Sequence, residues 1–430
     1  MAILILPGLA VGTTAPSGAL LYTEAPQYDP QAMLRGAERF PAGAVVKVLA
    51  GGASRVLAPA LADSADAALS PDAMTVLIAA KEKAGQPWQI WEVPLAGGTP
   101  KQVTFGAEDC IRPFYAAEGK LVYARKTARG FQIEIAPLAG GNALRLTYLP
   151  GDFLPDAILR DGRVLFEAAF PASAVAVRDL YTVYMDGSGV ETRRCDHGLD
   201  RHSAAELASG DTIFQTGTGL ARFTSARASQ LELTLPKGQY LGPVAETEAG
   251  EWLAAYRAGG TEAYWICRFQ PRMAALPVKV VGPNAWQPVP VRVRPAPPYH
   301  PSSLGNREGA NLLCLNSYVS KSQQIPKGSV AEVRVWSMNE RGAAVALGKA
   351  PVEADGSFYV QAPSEVPLRF ELLDRAGKTV AAEKGWFWAR KGEQRVCVGC
   401  HAGPERAPEN VAPQVLLRTQ KPVPMIKPTN

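Results

Sequence analysis

Short apolar runs that end in glycine turns recur along the first two thirds of the chain, and each turn precedes another strand-like run. Three of these turns share the letters Leu-Ala-Gly-Gly, at positions 49–52, 95–98 and 138–141. From Thr104 to Thr147 the pattern advances by 43 residues. A period of about 40–45 residues with four strands per unit is typical of a β-propeller blade. A two-sheet sandwich would not explain this period, so we predict a propeller over residues 18–282, of five or six blades, with six closing the ring.

The pattern changes after residue 282. Prolines crowd residues 283–302, which predicts an extended linker. Residues 303–403 contain short alternating runs and turns, which predict a small β-sandwich-like domain. Residues 404–430 hold six prolines and few apolar residues, which predicts an extended C-terminal arm. The predicted fold class is therefore all-β, with an N-terminal propeller of the TolB or WD40 type followed by the small β domain.

The first 17 residues have two interpretations. An apolar run over residues 2–11 is followed by small residues, as in a signal peptide that has lost its basic start. The alternative is a first β-strand of the mature fold. A run of about ten residues is too short to span a bilayer, so we predict no transmembrane segment.

Composition excludes one class of partner. The chain is 47% hydrophobic and 20% charged, with a net charge of +5. The basic residues form no run and are not interleaved with an aromatic ladder, so we expect no nucleic-acid binding.

The pattern Cys-x-x-Cys-His occurs once, at Cys397, Cys400 and His401. It predicts covalent attachment of one haem c, because two thiols at this spacing bond the two vinyl groups and the histidine is an axial iron ligand. Half a zinc site would need a second ligand pair nearby, and a thioredoxin-type pair would need a βαβ context; the sequence indicates neither. Because bacteria attach haem c outside the cytoplasm, we expect a periplasmic or extracytoplasmic location.

The remaining cysteines are Cys110, Cys195, Cys267 and Cys314. In an oxidising compartment they allow up to two disulfides, in pairings that the sequence does not decide. Their spacing shows no disulfide framework, which favours buried thiols.

Several short sequence motifs in the C-terminal third of the chain resemble those of a known family. They lie at residues 298–302, 312–318, 353–358, 367–374, 397–401 and 408–410. Together they make residues 295–413 similar to the middle domain of the hydrazine synthase alpha subunit family. That resemblance implies a six-bladed propeller before a haem-bearing domain, within a larger assembly.

The same family pattern is incomplete here. The alpha subunit of the family continues into a second haem domain that these residues do not contain. Its catalytic haem takes a tyrosine ligand shortly after the motif, whereas residues 402–430 contain no tyrosine, and Glu405 is the only oxygen donor of comparable reach near the motif. We therefore expect haem attachment to carry over from the resemblance, but not hydrazine chemistry itself.

Side chains near the motif suggest a haem pocket. Trp386 and Trp388 would form its walls, and Arg390, Lys391 and Arg395 would pair with the propionates. The alternative is that the tryptophans are ordinary core and the cations belong to a solvated loop.

The sixth iron ligand decides what such a haem does. Met338 is a candidate, although a loop methionine is the plainer interpretation. The polar segment 195–202, with His197 and His202, could overhang the haem or bind zinc; the alternative is a solvent-facing loop rich in turn formers.

Three functions fit these features. The first is a periplasmic monohaem cytochrome c that passes electrons to a redox partner or to other subunits. The alternative is a hydrazine-synthase-like haem enzyme or sensor, acting on a small nitrogen or oxygen compound at an open iron. The third is an interaction protein with a structural haem.

Overall fold

The computed structural model describes residues 18–170, 178–194, 200–217, 219–224, 230–233, 235–271, 277–320, 324–339, 342–399, 409–419 and 421–425. Residues 1–17, with the apolar run predicted as a leader or first strand, lie outside the described residues. Within the described residues the chain is almost entirely β. Its helices there are one α-helix, α1 (Gln414–Arg418), and two 3-10 turns, at Ala32–Arg35 and Ala117–Gly119. No helix of the described part is long and apolar enough to cross a membrane.

The first 24 strands form six four-stranded antiparallel sheets. In chain order the strands are β1 Leu20–Glu24, β2 Val45–Ala50, β3 Ala53–Val56, β4 Asp63–Leu69, β5 Thr75–Lys81, β6 Gln89–Pro94, β7 Lys101–Gln102, β8 Cys110–Ala116, β9 Lys120–Thr127, β10 Gly130–Pro137, β11 Leu144–Arg145, β12 Asp152–Ile158, β13 Val164–Ala169, β14 Arg178–Val183, β15 Glu191–Thr192, β16 His202–Glu206, β17 Thr212–Thr216, β18 Gly219–Phe223, β19 Gln230–Glu232, β20 Gln239–Glu246, β21 Trp252–Arg257, β22 Trp265–Phe269, β23 Val278–Val281 and β24 Ala285–Pro290.

Each sheet is one blade, and the last strand closes the ring. The first blade has the order β24-β1-β2-β3, so its innermost strand comes from the far end of the propeller sequence. Leu20 pairs with Pro290, and Leu21 pairs with Val289. This confirms the prediction of a closed six-bladed propeller. It also corrects the predicted linker, 283–302, because residues 285–290 of that segment are a blade strand.

The repeated threonines explain the period of the sequence. The hydroxyl of Thr104 accepts a hydrogen bond from the Ile90 amide at 2.8 Å and donates one to Gln89 Oε1 at 2.8 Å. In the next blade Thr147 repeats the arrangement, accepting from the Ile133 amide at 3.0 Å and donating to a buried glutamine oxygen. In these two successive blades the repeat therefore preserves a threonine that follows the fourth strand and hydrogen-bonds the third.

Every innermost strand, β4, β8, β12, β16, β20 and β24, carries a bulge in the described structure. Within four of these bulges a non-glycine residue has a φ between +50° and +55°, a left-handed conformation that such residues seldom adopt. They are Asp66, Arg112, Ser203 and Gln287. In the sixth blade, which begins with β20, the residue with the left-handed conformation is Gly242. The bulges turn backbone and side-chain polar groups toward the central channel.

A network of charges fills that channel. Arg39 binds both carboxylate oxygens of Asp66, at 2.8 and 2.7 Å, and Gln287 donates to the same carboxylate at 2.7 Å. Arg112 then reaches Asp156 and Glu167, each at 2.9 Å. Burial opposes the negative charge of Asp66, but Arg39 outweighs it and lowers the pKa of Asp66 to about 2. The Arg112 amide also donates to Asp66 Oδ2 at 3.1 Å, so the network links four blades.

The second unit is a sandwich of two four-stranded sheets, confirming the predicted β-sandwich. Its strands are β25 Gly309–Cys314, β26 Glu332–Met338, β27 Ala344–Pro351, β28 Phe358–Pro363, β29 Leu368–Leu373, β30 Thr379–Ala382, β31 Gln394–Cys397 and β32 Val423–Pro424. One sheet has the order β31-β25-β28-β32 and the other β27-β26-β29-β30. Buried residues of both sheets, such as Leu312, Val335 and Phe370, form one core between them.

The described part of the arm lies over the sandwich. Val415 of α1 packs on Leu313 and Tyr359, on the outer face of the first sheet. The Gln414 amide donates to Asp355 Oδ2 at 2.7 Å, and β32 adds an edge strand in parallel with β28. The described part of the predicted arm, residues 409–419 and 421–425, is therefore packed against the sandwich.

Trp388 joins the sandwich to the propeller. Its side chain is fully buried among propeller residues, with ring centroids 6.3 Å from Tyr148 and Phe153 and 6.5 Å from Phe166. Its indole nitrogen donates to the Gly187 carbonyl at 3.3 Å. The indole ring thus fills the space between the third blade, which begins with β8, and the fourth blade, which begins with β12.

We predict that Trp388→Ala lowers the free energy of unfolding by about 3–5 kcal/mol, because it empties a packed site that cannot fully collapse. Trp386→Ala is the matched control, since Trp386 is only partly buried and packs against Arg369. Denaturant unfolding of both variants measures the difference. Equal losses for the two tryptophans would show that Trp388 is not the anchor.

Candidate functional site

Cys397 ends the edge strand of the sandwich. Strand β31 pairs in parallel with β25, and Cys397 is in register with Cys314. The pairing continues one step further, because the Leu315 amide donates to the Cys397 carbonyl at 2.9 Å. Cys397 is half-buried, whereas Cys314 is buried in the core. Cys400 and His401, the other members of the motif, lie outside the described residues.

Gly399 fits tightly against the turn that follows β25. A Cβ atom built on Gly399 would lie 2.5 Å from the Val319 carbonyl oxygen and 2.8 Å from that of Asn316. The turn is itself held in place, because the Ser317 amide donates to the Gly356 carbonyl at 2.8 Å. Only glycine allows the motif to lie this close to the turn.

The same turn carries two buried hydroxyl groups, those of Ser317 and Tyr318. Neither forms a hydrogen bond with the residues that the structure describes. Buried polar groups normally have partners, and an unsatisfied one costs about 1–3 kcal/mol. A half-exposed thiol, a glycine seat and spare hydroxyl donors suit a covalently held group with polar edges. The described residues therefore fit haem c.

Trp388 does not form a wall of such a pocket. The propeller side chains enclose it completely, which leaves no ring face for a haem. The predicted role is wrong for this residue, and the ordinary-core alternative describes it. Trp386 is partly buried, and the Arg369 guanidinium lies 4.9 Å from its ring centroid.

The arginines near the motif already have protein partners. Arg390 binds Glu365 at 2.6 Å and also contacts the Tyr148 hydroxyl of the propeller. Burial lowers the pKa of Arg390. Arg395 donates to Glu393 at 2.9 Å. These carboxylates would compete with haem propionates for both cations.

Glu393 connects the cations to the propeller. It accepts hydrogen bonds from the Gly189 amide of the propeller at 3.1 Å and from the Arg390 amide at 2.7 Å. Lys391, by contrast, pairs with Glu308 at 2.7 Å on the surface. The segment before the motif is thus fixed to the propeller by charge as well as by Trp388.

Met338 lies in the other sheet from Cys397. It ends β26, where its neighbour Ser337 is in register with Leu368 at the start of β29. It is half-buried. The predicted loop position is wrong, because Met338 is the last residue of a strand in the interior of its sheet.

His202 begins the innermost strand of the blade formed by β16–β19. It is buried, its Nδ1 lies 3.1 Å from the Ser203 hydroxyl, and its Nε2 lies 3.8 Å from Asp200. Burial, reinforced by the nearby Arg178, lowers the pKa of His202 to about 4. His202 is therefore neutral at pH 7 and belongs to the channel, not to a solvent-facing loop.

The described residues give no support to the predicted zinc site. His197 and Cys195 lie outside the described residues. Among the residues that the structure covers, no three His, Cys, Asp or Glu side chains converge as a metal site.

The propeller thiols are buried, as the spacing favoured. Cys110 lies on the innermost strand of its blade and Cys267 on the third strand of its own; both are buried and form no disulfide. Burial raises the pKa of each thiol to about 11. Both are chemically inert positions.

Comparisons of sequence with known proteins match the sandwich. Residues 316–402 match the family model described as hydrazine synthase alpha subunit middle domain. Over 60 residues the chain is 37% identical to hydrazine synthase subunit alpha of Kuenenia stuttgartiensis, a stretch that is 14% of this chain and 7% of that protein. Residues 316–402 are therefore similar to the middle domain of the hydrazine synthase alpha subunit. This confirms the resemblance seen in the sequence.

One solved structure extends the likeness in fold to the propeller. Kuenenia stuttgartiensis hydrazine synthase superposes with a TM-score of 0.79 at 17% identity, over 94% of this chain and 71% of that one. At this identity the match shows a shared fold. TolB from Acinetobacter baumannii gives a TM-score of 0.49 at 15% identity, over 63% of this chain and 66% of that one.

Two features of the site were not foreseen from the sequence. The register of Cys314 with Cys397 depends on which strands are neighbours, and a parallel pair 83 positions apart leaves no local signal. The contact of Gly399 with residues 316–319 has the same origin. The only indication in the sequence was that both segments contain motifs resembling the hydrazine synthase alpha subunit family.

We predict that acid destabilises the propeller through His202. The unfolded imidazole, with a pKa of 6.5, binds a proton more readily than the folded one, with a pKa of about 4. Stability is therefore lost as the pH falls below about 6.5, by about 2 kcal/mol between pH 7 and pH 5. Urea unfolding of the wild type and of His202→Asn at both pH values measures this loss. An equally large loss in the variant would assign it to other groups.

We also predict that Gly399→Ala destabilises the sandwich by about 1–3 kcal/mol, because the added methyl group displaces the motif from its turn. Gly260→Ala is a matched control, since a Cβ there meets nothing within 4 Å. Thermal unfolding of both variants provides the measurement. A neutral Gly399→Ala would mean that the close contact is not required.

Proposed function

We propose that this chain is the haem-bearing component of a hydrazine synthase alpha-like assembly. One haem c is attached through Cys397 and Cys400, with His401 as the iron ligand. The observation that carries the proposal is the family match over residues 316–402, which includes the whole Cys-x-x-Cys-His motif. The half-buried Cys397 at a strand end and the glycine seat beside it support the same conclusion.

The chain's own residues have separable tasks in this proposal. Haem c, when bound, supplies a redox-active iron. Cys397 fixes the group to the end of β31, and Gly399 keeps the motif against the turn of residues 316–319. Ser317 and Tyr318 offer hydroxyl donors to a polar edge. Trp388 and Glu393 hold the preceding segment against the propeller.

The reaction class follows from the sixth iron position. The described candidates, His202, His300 and Met338, have other partners or positions, whereas His197 lies outside the described residues. His202 lies in the propeller channel, and His300 binds the Asp161 carbonyl and packs 5.2 Å from the Tyr184 ring. Met338 belongs to the opposite sheet. These positions favour an open iron that acts on a small nitrogen or oxygen compound over a closed electron carrier.

The comparisons favour the same choice. They relate the chain to hydrazine synthase, which the sequence treated as the alternative to a monohaem cytochrome. A subunit within a larger assembly, with a periplasmic or extracytoplasmic location, is part of the proposal. Hydrazine formation itself is left out, because the tyrosine that follows the family's motif has no counterpart in residues 402–430.

An absorption spectrum tests the proposal. We expect protein secreted with a cytochrome c maturation system to retain one haem after denaturation, measured as the pyridine haemochrome. Cys397→Ala with Cys400→Ala abolishes this, whereas Cys267→Ala leaves it unchanged. Dithionite-reduced protein then binds carbon monoxide with a shift of the Soret band.

Two results would contradict it. Loss of all haem on denaturation would remove covalent attachment. A low-spin reduced spectrum that carbon monoxide does not change would instead identify the electron carrier.

A further inference from the structure

Three side chains form one row across the outer face of the second sheet of the sandwich. Trp336 on β26 is directly opposite Arg369 on β29. On the other side of β29, Leu368 and Phe387 exchange both of their backbone hydrogen bonds, at 2.7 and 3.0 Å. The next antiparallel pair is then Arg369 and Trp386. We call the row of Trp336, Arg369 and Trp386 the Trp-Arg-Trp ladder.

The ladder faces away from the core of the sandwich. Leu368 and Phe370, on either side of Arg369, are buried in that core, and successive residues of a strand point to opposite faces. The Arg369 guanidinium carbon lies 4.9 Å from the ring centroid of Trp386 and 6.0 Å from that of Trp336. All three side chains are half-buried. The guanidinium is therefore flanked by two indoles but is not closed off from solvent.

Arg369 has no counter-ion among the described residues. It forms no hydrogen bond or ion pair there, and its Nε is buried without a partner. The carboxylate of the neighbouring row, that of Glu371, is already engaged. One of its oxygens accepts from Arg334 at 3.1 Å and from the Trp336 indole at 2.8 Å, and the other accepts from Thr379 at 2.5 Å. A guanidinium stacked on rings keeps its N–H donors in its own plane, so Arg369 can offer them to a group outside this chain.

The surroundings of the ladder determine what such a group is. Trp386 packs at the edge of the cluster that encloses Trp388, so the ladder is held in place before any ligand binds. At the other end, Ala346 is directly opposite Trp336, and this small exposed side chain leaves room for an apolar group beside the indole. Lys384 adds an exposed positive charge two positions before Trp386. The site therefore suits a negatively charged group with an apolar neighbour.

We propose that the Trp-Arg-Trp ladder is a docking site for an acidic segment of a partner protein, in which a glutamate or aspartate carboxylate binds the Arg369 guanidinium. A carboxylate accepts two parallel N–H bonds from a guanidinium, and the flanking indoles exclude water from those bonds and strengthen them. Tryptophan and arginine are also among the residue types that contribute most to binding at protein interfaces. The proposal is independent of haem attachment, because no residue of the ladder belongs to the Cys-x-x-Cys-His motif.

Fluorescence anisotropy with the purified full chain tests the site. The probe is a fluorescein-labelled peptide of alternating glutamate and leucine, and its control carries glutamine in place of glutamate. At low ionic strength, where charge pairs are least screened, we expect the glutamate peptide to bind about tenfold more tightly than the control. Arg369→Gln abolishes this difference, and Arg369→Lys weakens binding because lysine lacks the planar donors. Arg375→Gln, at an exposed arginine of the turn after β29, retains the difference.

A footprint on the wild type gives a second measurement that does not depend on how a variant folds. Phenylglyoxal blocks arginine side chains, and trypsin then no longer cleaves between Arg369 and Phe370. We expect the glutamate peptide to protect Arg369, and not Arg375, from this reagent.

Three results would overturn the proposal. Equal binding of the two peptides would assign the contact to apolar surface alone. An equal loss of binding in Arg369→Gln and Arg375→Gln would assign it to the general positive charge of the sandwich. Inorganic polyphosphate that binds more tightly than the glutamate peptide, and protects Arg369 better, would assign the site to phosphate instead of an acidic protein segment.

Discussion

The structure depends on a buried carboxylate at the centre of the propeller. Asp66 lies on a bulge of the second blade and receives Arg39 through both of its oxygens. Gln287, from the strand that closes the ring, donates to the same group, and the Arg112 amide of the next blade does so at 3.1 Å. The Asp66 carboxylate thus joins residues from the start of the propeller sequence, from its closing strand and from the neighbouring blade. A buried ion pair of this kind specifies an arrangement more than it adds stability.

Contacts with the propeller fix the position of the sandwich. Trp388 fills a gap between two blades, and the Glu393 carboxylate accepts from the Gly189 amide a few residues further along the chain. Both contacts precede Cys397 by fewer than ten positions. The candidate site is therefore held by the propeller through a short segment, while its own geometry is set by pairing inside the sandwich.

The sequence predicted whatever is repeated or local. The blades follow from a period that Thr104 and Thr147 maintain, and the motif follows from the spacing of Cys397 and Cys400. Trp388 was misread, because an indole in a core and an indole on a cofactor have the same neighbours in sequence. Residues 285–290 were misread because prolines suggested a linker, yet an innermost strand with a bulge accommodates Pro288 and Pro290. Partners distant along the chain, such as Cys314, have no such signature.

Closure of the ring by β24 also fixes when the propeller can be complete. The first blade lacks its innermost strand until residues 285–290 have left the ribosome, so the edge of β1 stays open through the synthesis of five further blades. The residues that follow closure then lie across the finished propeller, with the Arg294 amide donating to the Pro71 carbonyl at 2.9 Å. The ring therefore closes only about twenty residues before the first strand of the sandwich, Gly309–Cys314, is made, although the blades that receive Trp388 were made much earlier.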